Sequence, residues 1–199
     1  AWGKNDVGQL GDGSTENRIF PMNIVFGNDP DTYITKIKAG RSHVLALDNK
    51  GHVWSWGLND KGQLGRSGDQ SKPAMISGVD DIEFAELGTG ETSSYAVDNN
   101  GNVYAFGNEI GGSGTSFGGT PILLSLLNRT VSISGGYALK SDETVWVVPA
   151  DIKETVVLRK SDLANITELS SSNNHTLALD EDGALWTFGN SDYGQLGDG

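Results

Sequence analysis

One pattern recurs along this 199-residue chain and restricts its fold more than any other feature. The stretch His43-Val-Leu-Ala-Leu-Asp-Asn-Lys-Gly-His-Val-Trp-Ser-Trp-Gly57 aligns without a gap on His175-Thr-Leu-Ala-Leu-Asp-Glu-Asp-Gly-Ala-Leu-Trp-Thr-Phe-Gly189. Between them lie Ser94-Tyr-Ala-Val-Asp-Asn-Asn-Gly-Asn-Val-Tyr-Ala-Phe-Gly107 and a worn copy, Tyr137-Ala-Leu-Lys-Ser-Asp-Glu-Thr-Val-Trp-Val-Val148. Ala46, Ala96, Ala138 and Ala178 are equivalent, each eight residues before an aromatic: Trp54, Tyr104, Trp146 and Trp186. A second block comes after the aromatic–glycine pair, as Trp2-Gly-Lys-Asn-Asp-Val-Gly-Gln-Leu-Gly-Asp-Gly13, Trp56-Gly-Leu-Asn-Asp-Lys-Gly-Gln-Leu-Gly65 and Phe188-Gly-Asn-Ser-Asp-Tyr-Gly-Gln-Leu-Gly-Asp-Gly199. The register marks at 2, 56, 106, 148 and 188 delimit units of about 2–55, 56–105, 106–147 and 148–187, with a fifth beginning at 188–199.

Each unit has the signature of short strands. Val44 to Asp48 is an apolar run, and His52 to Trp56 alternates polar and apolar side chains. Between them sit Asp-Asn-Lys-Gly and, in the other copies, Asp-Asn-Asn-Gly and Asp-Glu-Asp-Gly. These are turn tetrapeptides, because Asp and Asn tolerate the left-handed region and Gly supplies positive φ. Ile34 to Gly40 and Phe84 to Gly88 give one more strand upstream. Helical periodicity never lasts beyond a turn or two, and Pro149 to Asn165 is the best place for a short helix. About four strands in each ~40–50 residues mark a propeller blade. One blade cannot bury both its faces, so blades must stack, with Leu45, Leu47, Val53 and their equivalents supplying the core. The expected fold is therefore all-β: a single partial β-propeller over residues 1–199, with about four blades of four antiparallel strands.

Composition removes several functions. Lys plus Arg is 14 against 26 for Asp plus Glu, a net charge of −12 that repels a phosphate backbone or an anionic membrane surface. The longest apolar runs fall far short of a membrane span. With no cysteine there is no disulfide framework, thiolate zinc site or cysteine nucleophile. The chain starts at Ala1-Trp2-Gly3, without an initiator Met or signal peptide, and stops inside a repeat, so a piece of a longer protein is expected.

The string Ala39 to Gly65, Ala-Gly-x-x-His-x-Leu-Ala-Leu-Asp-x-x-Gly-x-Val-Trp-x-Trp-Gly-x-Asn-x-x-Gly-Gln-Leu-Gly, resembles the regulator of chromosome condensation repeat. The resemblance covers essentially the whole chain. The copy at Tyr137 departs from it by lacking the histidine, the Trp-Gly pair and the Gly-Gln-Leu-Gly turn. The resemblance implies a propeller, usually of seven four-stranded blades closed by a blade shared between the chain ends. Four periods are too few to close such a ring, which favours a fragment over a ring of two chains or an open arc. The functions it implies range over nucleotide exchange on the small GTPase Ran, chromatin docking, β-lactamase inhibition, ubiquitin-ligase scaffolding, and bacterial effector or surface proteins. Their common element is protein binding by loops on one face, and fold alone does not choose among them.

Residues with possible chemistry have simpler explanations. His43 and His175 share one repeat position at the start of an apolar strand, which predicts buried histidines bonded to nearby backbone, with His52 solvated. Asp80-Asp81 and Asp180 to Gly183 lack the ligand spacing of a calcium loop, and turn chemistry explains the latter. Gly107 to Gly119 lacks the Gly-Lys-Ser/Thr ending of a phosphate loop and suits a degenerate inter-blade turn. The sequons at Asn128, Asn165 and Asn174 are accidental matches. No catalytic constellation, cofactor site or metal site emerges, so the chain is not expected to be an enzyme.

Binding is expected from loops that break the repeat. The acidic insert Phe26 to Tyr33 carries Asp29, Asp31 and Tyr33, Gly112 to Gly119 presents Phe117, and Tyr193 stands in the last block. The aromatics would anchor a protein partner while the acids steer it. The primary expectation is a protein-interaction module. The alternatives are a guanine-nucleotide exchange factor for a Ran-like small GTPase and a proteinaceous enzyme inhibitor. Open blade edges add an expectation of self-association.

Overall fold

The computed structural model describes residues 1–108, 116–148, 159–172 and 175–197, with Asn108, Ser116 and Phe117 in backbone only. Four antiparallel meanders succeed one another. The first sheet is β1 (Ile34–Ala39), β2 (His43–Asp48), β3 (Val53–Gly57) and β4 (Ala74–Met75). The second is β5 (Phe84–Thr89), β6 (Ser93–Asp98), β7 (Val103–Asn108) and β8 (Ser116–Leu124). The third has β9 (Thr130–Ser134), β10 (Tyr137–Lys140) and β11 (Val145–Val147), and the fourth has β12 (Ile166–Ser171), β13 (His175–Asp180) and β14 (Leu185–Gly189). The register is the same in each sheet: Ala46 faces Trp54, Ala96 faces Tyr104, Ala138 faces Trp146 and Ala178 faces Trp186.

Two expectations need correcting. The helix expected over Pro149 to Asn165 falls at 149–158 outside the described residues, and residues 159–165 form an isolated bridge and a turn. Arg159 bridges Trp146, and Lys160 N–H donates to the Val145 carbonyl at 2.8 Å, so this backbone takes the place of an outer strand. The Gly-rich stretch 107–119 does not join blades either. Its two ends pair within one sheet, Gly107 with Gly118 and Asn108 with Ser116, so it connects β7 to β8; residues 109–115 lie outside the described ones.

The strand period of two divides each sheet's side chains between its neighbours. Leu45, Leu47 and Val53 of the first sheet meet Phe84, Leu87, Ala96 and Phe106 of the second. Tyr95, Val97, Val103 and Leu124 of the second meet Ile133 and Ala138 of the third. Leu139 and Val145 of the third meet Ile166, Leu169 and Ala178 of the fourth. Each of these three apolar layers thus lies between consecutive sheets. One repeat position shows what stacking achieves: Leu87, Ile133 and Leu169 are 0%, 1% and 6% exposed beneath a preceding sheet, whereas Ile37, with no such sheet before it, is 63% exposed. The first strand of each sheet lies nearest its counterparts, with Thr89 Oγ1 donating to the Ala39 carbonyl at 3.1 Å and Ser171 Oγ to the Ser134 carbonyl at 3.2 Å.

Candidate interaction surface

Antiparallel pairing gives the stack two ends. The connections β1–β2 and β3–β4, with their counterparts, gather at one, the loop end. The tetrapeptide turns between β2 and β3, and between their counterparts, gather at the other, the turn end.

The Asn-x-x-Gly-Gln-Leu-Gly blocks occupy the loop end and are held from within. Asn59 Oδ1 accepts the Leu64 N–H at 2.9 Å, Asn59 Nδ2 donates to the Arg66 carbonyl at 2.9 Å, and Gln63 Oε1 accepts the Lys61 N–H at 2.9 Å. Asn5 and Leu10 repeat the first of these bonds. The first two blocks then clasp the next sheet. Trp56 Nε1 donates to the Gln9 carbonyl at 3.0 Å, and Ser94 Oγ donates to the Gln63 carbonyl at 2.7 Å. Gly65 lies against the Phe106 ring, where an added Cβ would stand 2.8 Å from Cδ2, and Gly11 lies the same way on Trp56. These motif residues are thereby committed to joining blades.

His43 belongs to the same clasp. It is buried, and its ring meets the next sheet, with the Ser94 hydroxyl 2.9 Å from Nε2 and the Ser93 backbone beside it. The single hydroxyl proton of Ser94 goes to Gln63, so Nε2 carries a proton and donates, and Nδ1 is left without a partner. Burial lowers the His43 pKa from 6.5 to about 4. His175 is only half-buried, because no sheet comes after β12–β14 among the described residues. Sequence reasoning also missed Arg66. Its buried guanidinium donates to the carbonyls of Ser55 at 2.8 Å, Lys72 at 2.9 Å and Asp69 at 3.0 Å, holding the long β3–β4 connection.

At the turn end the recurring acids are structural. Asp48 Oδ1 accepts the Lys50 and His52 N–H groups at 2.9 Å, and Oδ2 accepts Trp54 Nε1 at 2.9 Å. Asp180 repeats this with Ala184 N–H at 2.8 Å and Trp186 Nε1 at 2.9 Å. Those donors hold the Asp48 and Asp180 carboxyls below the ordinary value, against desolvation at Asp48.

Of the residues singled out for binding, Asp29, Asp31 and Tyr33 come together at this end. Asp29 Oδ1 accepts the Asp31 N–H at 3.0 Å, and its carboxylate pairs with Lys50. Asn49 joins the insert to the turn, accepting Tyr33 N–H at 3.0 Å through Oδ1 and donating from its backbone to the Tyr33 carbonyl at 3.0 Å. The insert is thus fixed at its base while the Tyr33 ring stays 65% exposed. Tyr193, 94% exposed, stands at the opposite end, in the loop after β14. Phe117 lies near the loop-end terminus of β8, its side chain outside the described ones. The five residues therefore do not form one patch.

Residues 1–47 and 50–97 match the regulator of chromosome condensation (RCC1) repeat, and residues 34–63 and 166–195 match a second description of the same repeat. The chain belongs to this family. Among its relatives, Protein RCC2 homolog of Danio rerio is 32% identical over 99% of the chain and 39% of its own length. Ultraviolet-B receptor UVR8 of Arabidopsis thaliana is 29% identical over 100% of the chain and 38% of its own length. Probable E3 ubiquitin-protein ligase HERC6 of Homo sapiens is 29% identical over 99% of the chain and 17% of its own length. The solved structure of Prp20p from Saccharomyces cerevisiae superposes with a TM-score of 0.83 at 24% identity, over 98% of this chain and 54% of that one. Yeast RCC1 bound to Kap60 gives a TM-score of 0.81 at 25% identity, over 98% of this chain and 53% of that one. The chain thus spans well under half of these curated relatives and about half of the solved RCC1 propellers, and its fold is theirs.

Proposed function

We propose that this RCC1-type propeller segment is a protein-interaction module that engages its partner at the turn end. The observation carrying this reading is the insert at 26–33, pinned through Asn49 to the hairpin turn so that Tyr33 projects beside Asp29 and Asp31. A ring held on a fixed base loses little conformational freedom on binding, which suits it as an anchor. The surrounding acids would steer a basic partner surface. At the other end, the Gly-Gln-Leu-Gly blocks at 8–11 and 62–65 are occupied in joining blades. A photo-cross-linking residue at position 33, with one at position 193 as the control, tests the reading in the cells that make the protein. The expected result is a defined protein adduct from position 33 that is absent from position 193; adducts from 193 alone would overturn it.

A second reading, nucleotide exchange on a small GTPase, is favoured by the likeness to Prp20p, whose structure is described together with its binding to Gsp1p and histones. Exchange needs no acid–base residues, only a surface that displaces the nucleotide. Accelerated release of a fluorescent guanine nucleotide from a Ran-type GTPase would support it, and an unchanged release rate at high micromolar protein would end it.

A further inference from the structure

A cavity of about 440 Å³ opens at the turn end, with Lys36, Glu86, Asp98, Asn100, Arg129 and Val131 in its lining. Donors and acceptors around it do not balance. Glu86 Oε2 accepts Lys36 Nζ at 2.6 Å, and Oε1 accepts the Leu87 N–H at 2.9 Å. Asp98 Oδ1 accepts the N–H groups of Asn100 and Asn102 at 2.9 and 2.8 Å, and Oδ2 accepts Asn102 Nδ2 at 2.8 Å. Lys36 donates also to the Ala85 carbonyl at 2.7 Å. Every carboxylate oxygen in the lining is thus occupied from within the protein.

Arg129 is not. Its side chain is exposed, and among the described residues its guanidinium has neither a hydrogen bond nor an ion pair. Beside it Thr130, 4% exposed, also lines the cavity, and its Oγ1 is buried without a hydrogen-bond partner. Val131, next along β9, is 51% exposed and adds an apolar wall. Arg129 is also held at a φ of 57°, in the left-handed region that non-glycine residues seldom adopt. Its backbone is fixed there by the Ser141 N–H, which donates to its carbonyl at 2.8 Å.

We propose that this cavity receives an acidic side chain of the protein partner, its carboxylate on the Arg129 guanidinium and its neighbouring apolar group on Val131. The pocket rests on the protein-interaction reading above and names the chemistry of the partner segment. A planar guanidinium with five N–H donors matches a carboxylate in a bidentate fork. The volume lies within the ~300–1,000 Å³ of ordinary binding pockets. The chain's net charge of −12 works against a polyphosphate or nucleic acid here, whereas a lone carboxylate needs no more than the Arg129 cation.

The test uses the purified protein and three probes: acetyl-Val-Glu-Val-amide, acetyl-Val-Gln-Val-amide and inorganic phosphate, monitored through the backbone amide signals in ¹⁵N–¹H spectra. The Glu peptide is expected to shift Gly101, Thr130 and Val131 and to bind at least tenfold more tightly than the Gln peptide. Arg129→Asn is the informative variant, because Asn165 stands at the equivalent position with a φ of 55°, so the backbone is retained while the charge is lost. It should weaken the Glu peptide at least tenfold and leave the rest of the spectrum in place. A second variant, Val131→Ser, should weaken both peptides. Equal affinity for the two peptides, undiminished binding by Arg129→Asn, shifts confined to other residues, or tighter binding of phosphate would each overturn the pocket. Failure here leaves the Tyr33 reading to its own cross-linking test, because the two readouts share no residue.

Discussion

The His43 clasp makes stability depend on pH in a direction that can be worked out. Burial between the first two sheets lowers its pKa from 6.5 to about 4, so the folded protein refuses a proton that the unfolded chain accepts. The stabilisation is present in full above pH 6.5, is lost as the pH falls through the window down to about 4, and changes no further below it. At about 1.4 kcal/mol per pH unit, the depression corresponds to about 3 kcal/mol, a sizeable share of the ~5–15 kcal/mol of an ordinary domain. Urea unfolding in half-unit steps from pH 7 to 4, monitored by tryptophan fluorescence, measures it. The wild-type protein should lose about 3 kcal/mol more over this range than His43→Gln. The carboxylates that also titrate there are common to both proteins and cancel in the difference. Parallel curves for the two proteins, or a His43 ring that titrates near 6.5 in the folded state, would refute the reasoning.

Three further predictions concern contacts between and within the blades. Gly65→Ala forces a Cβ to within 2.8 Å of the Phe106 ring at a φ of +63°, and should cost about 2 kcal/mol or more in chemical denaturation; Gly68→Ala, with nothing within 4 Å, serves as the control that carries backbone strain alone. Arg66→Met strips donors from the Ser55, Asp69 and Lys72 carbonyls and should cost about 2–4 kcal/mol, with hydrogen exchange of residues 66–72 rising first. Trp54→Phe keeps the ring packing but removes the indole N–H from buried Asp48, for a loss of about 1–2 kcal/mol by the same measurement.

What the sequence disclosed depends on how local each feature is. The alternation around Leu45, Leu47 and Val53 set the strands, and the repeat carried them from sheet to sheet, so the core layers were legible in the sequence alone. The Asp-x-x-Gly turns were legible for the same reason, since Asp48 and Asp180 satisfy donors two to six residues away. The clasps were not. His43 meets Ser94 across 51 residues and Trp56 meets Gln9 across 47, and no local pattern carries such a pairing. The role of Gly107 to Gly119 was misread because a Gly-rich stretch marks a bend without saying which strands it joins. The binding residues were legible as exceptions to the repeat, but not by end. Tyr33 and Tyr193 look alike in sequence, yet the one precedes the first strand of a sheet and the other comes after the last, which places them at opposite ends. Arg129 carried no signal at all, since only the closed hydrogen bonds of Glu86 and Asp98 leave it without a partner.

The central claim is that a protein partner docks on the turn end. Once cross-linking has supplied that partner, hydrogen–deuterium exchange of the protein with and without it tests the claim most directly. Slowed exchange at residues 28–33, 49–52 and 98–101, with 58–72 and 190–197 unchanged, is the predicted result. Protection confined to 58–72 and 190–197 would put the binding surface on the loop end and contradict it.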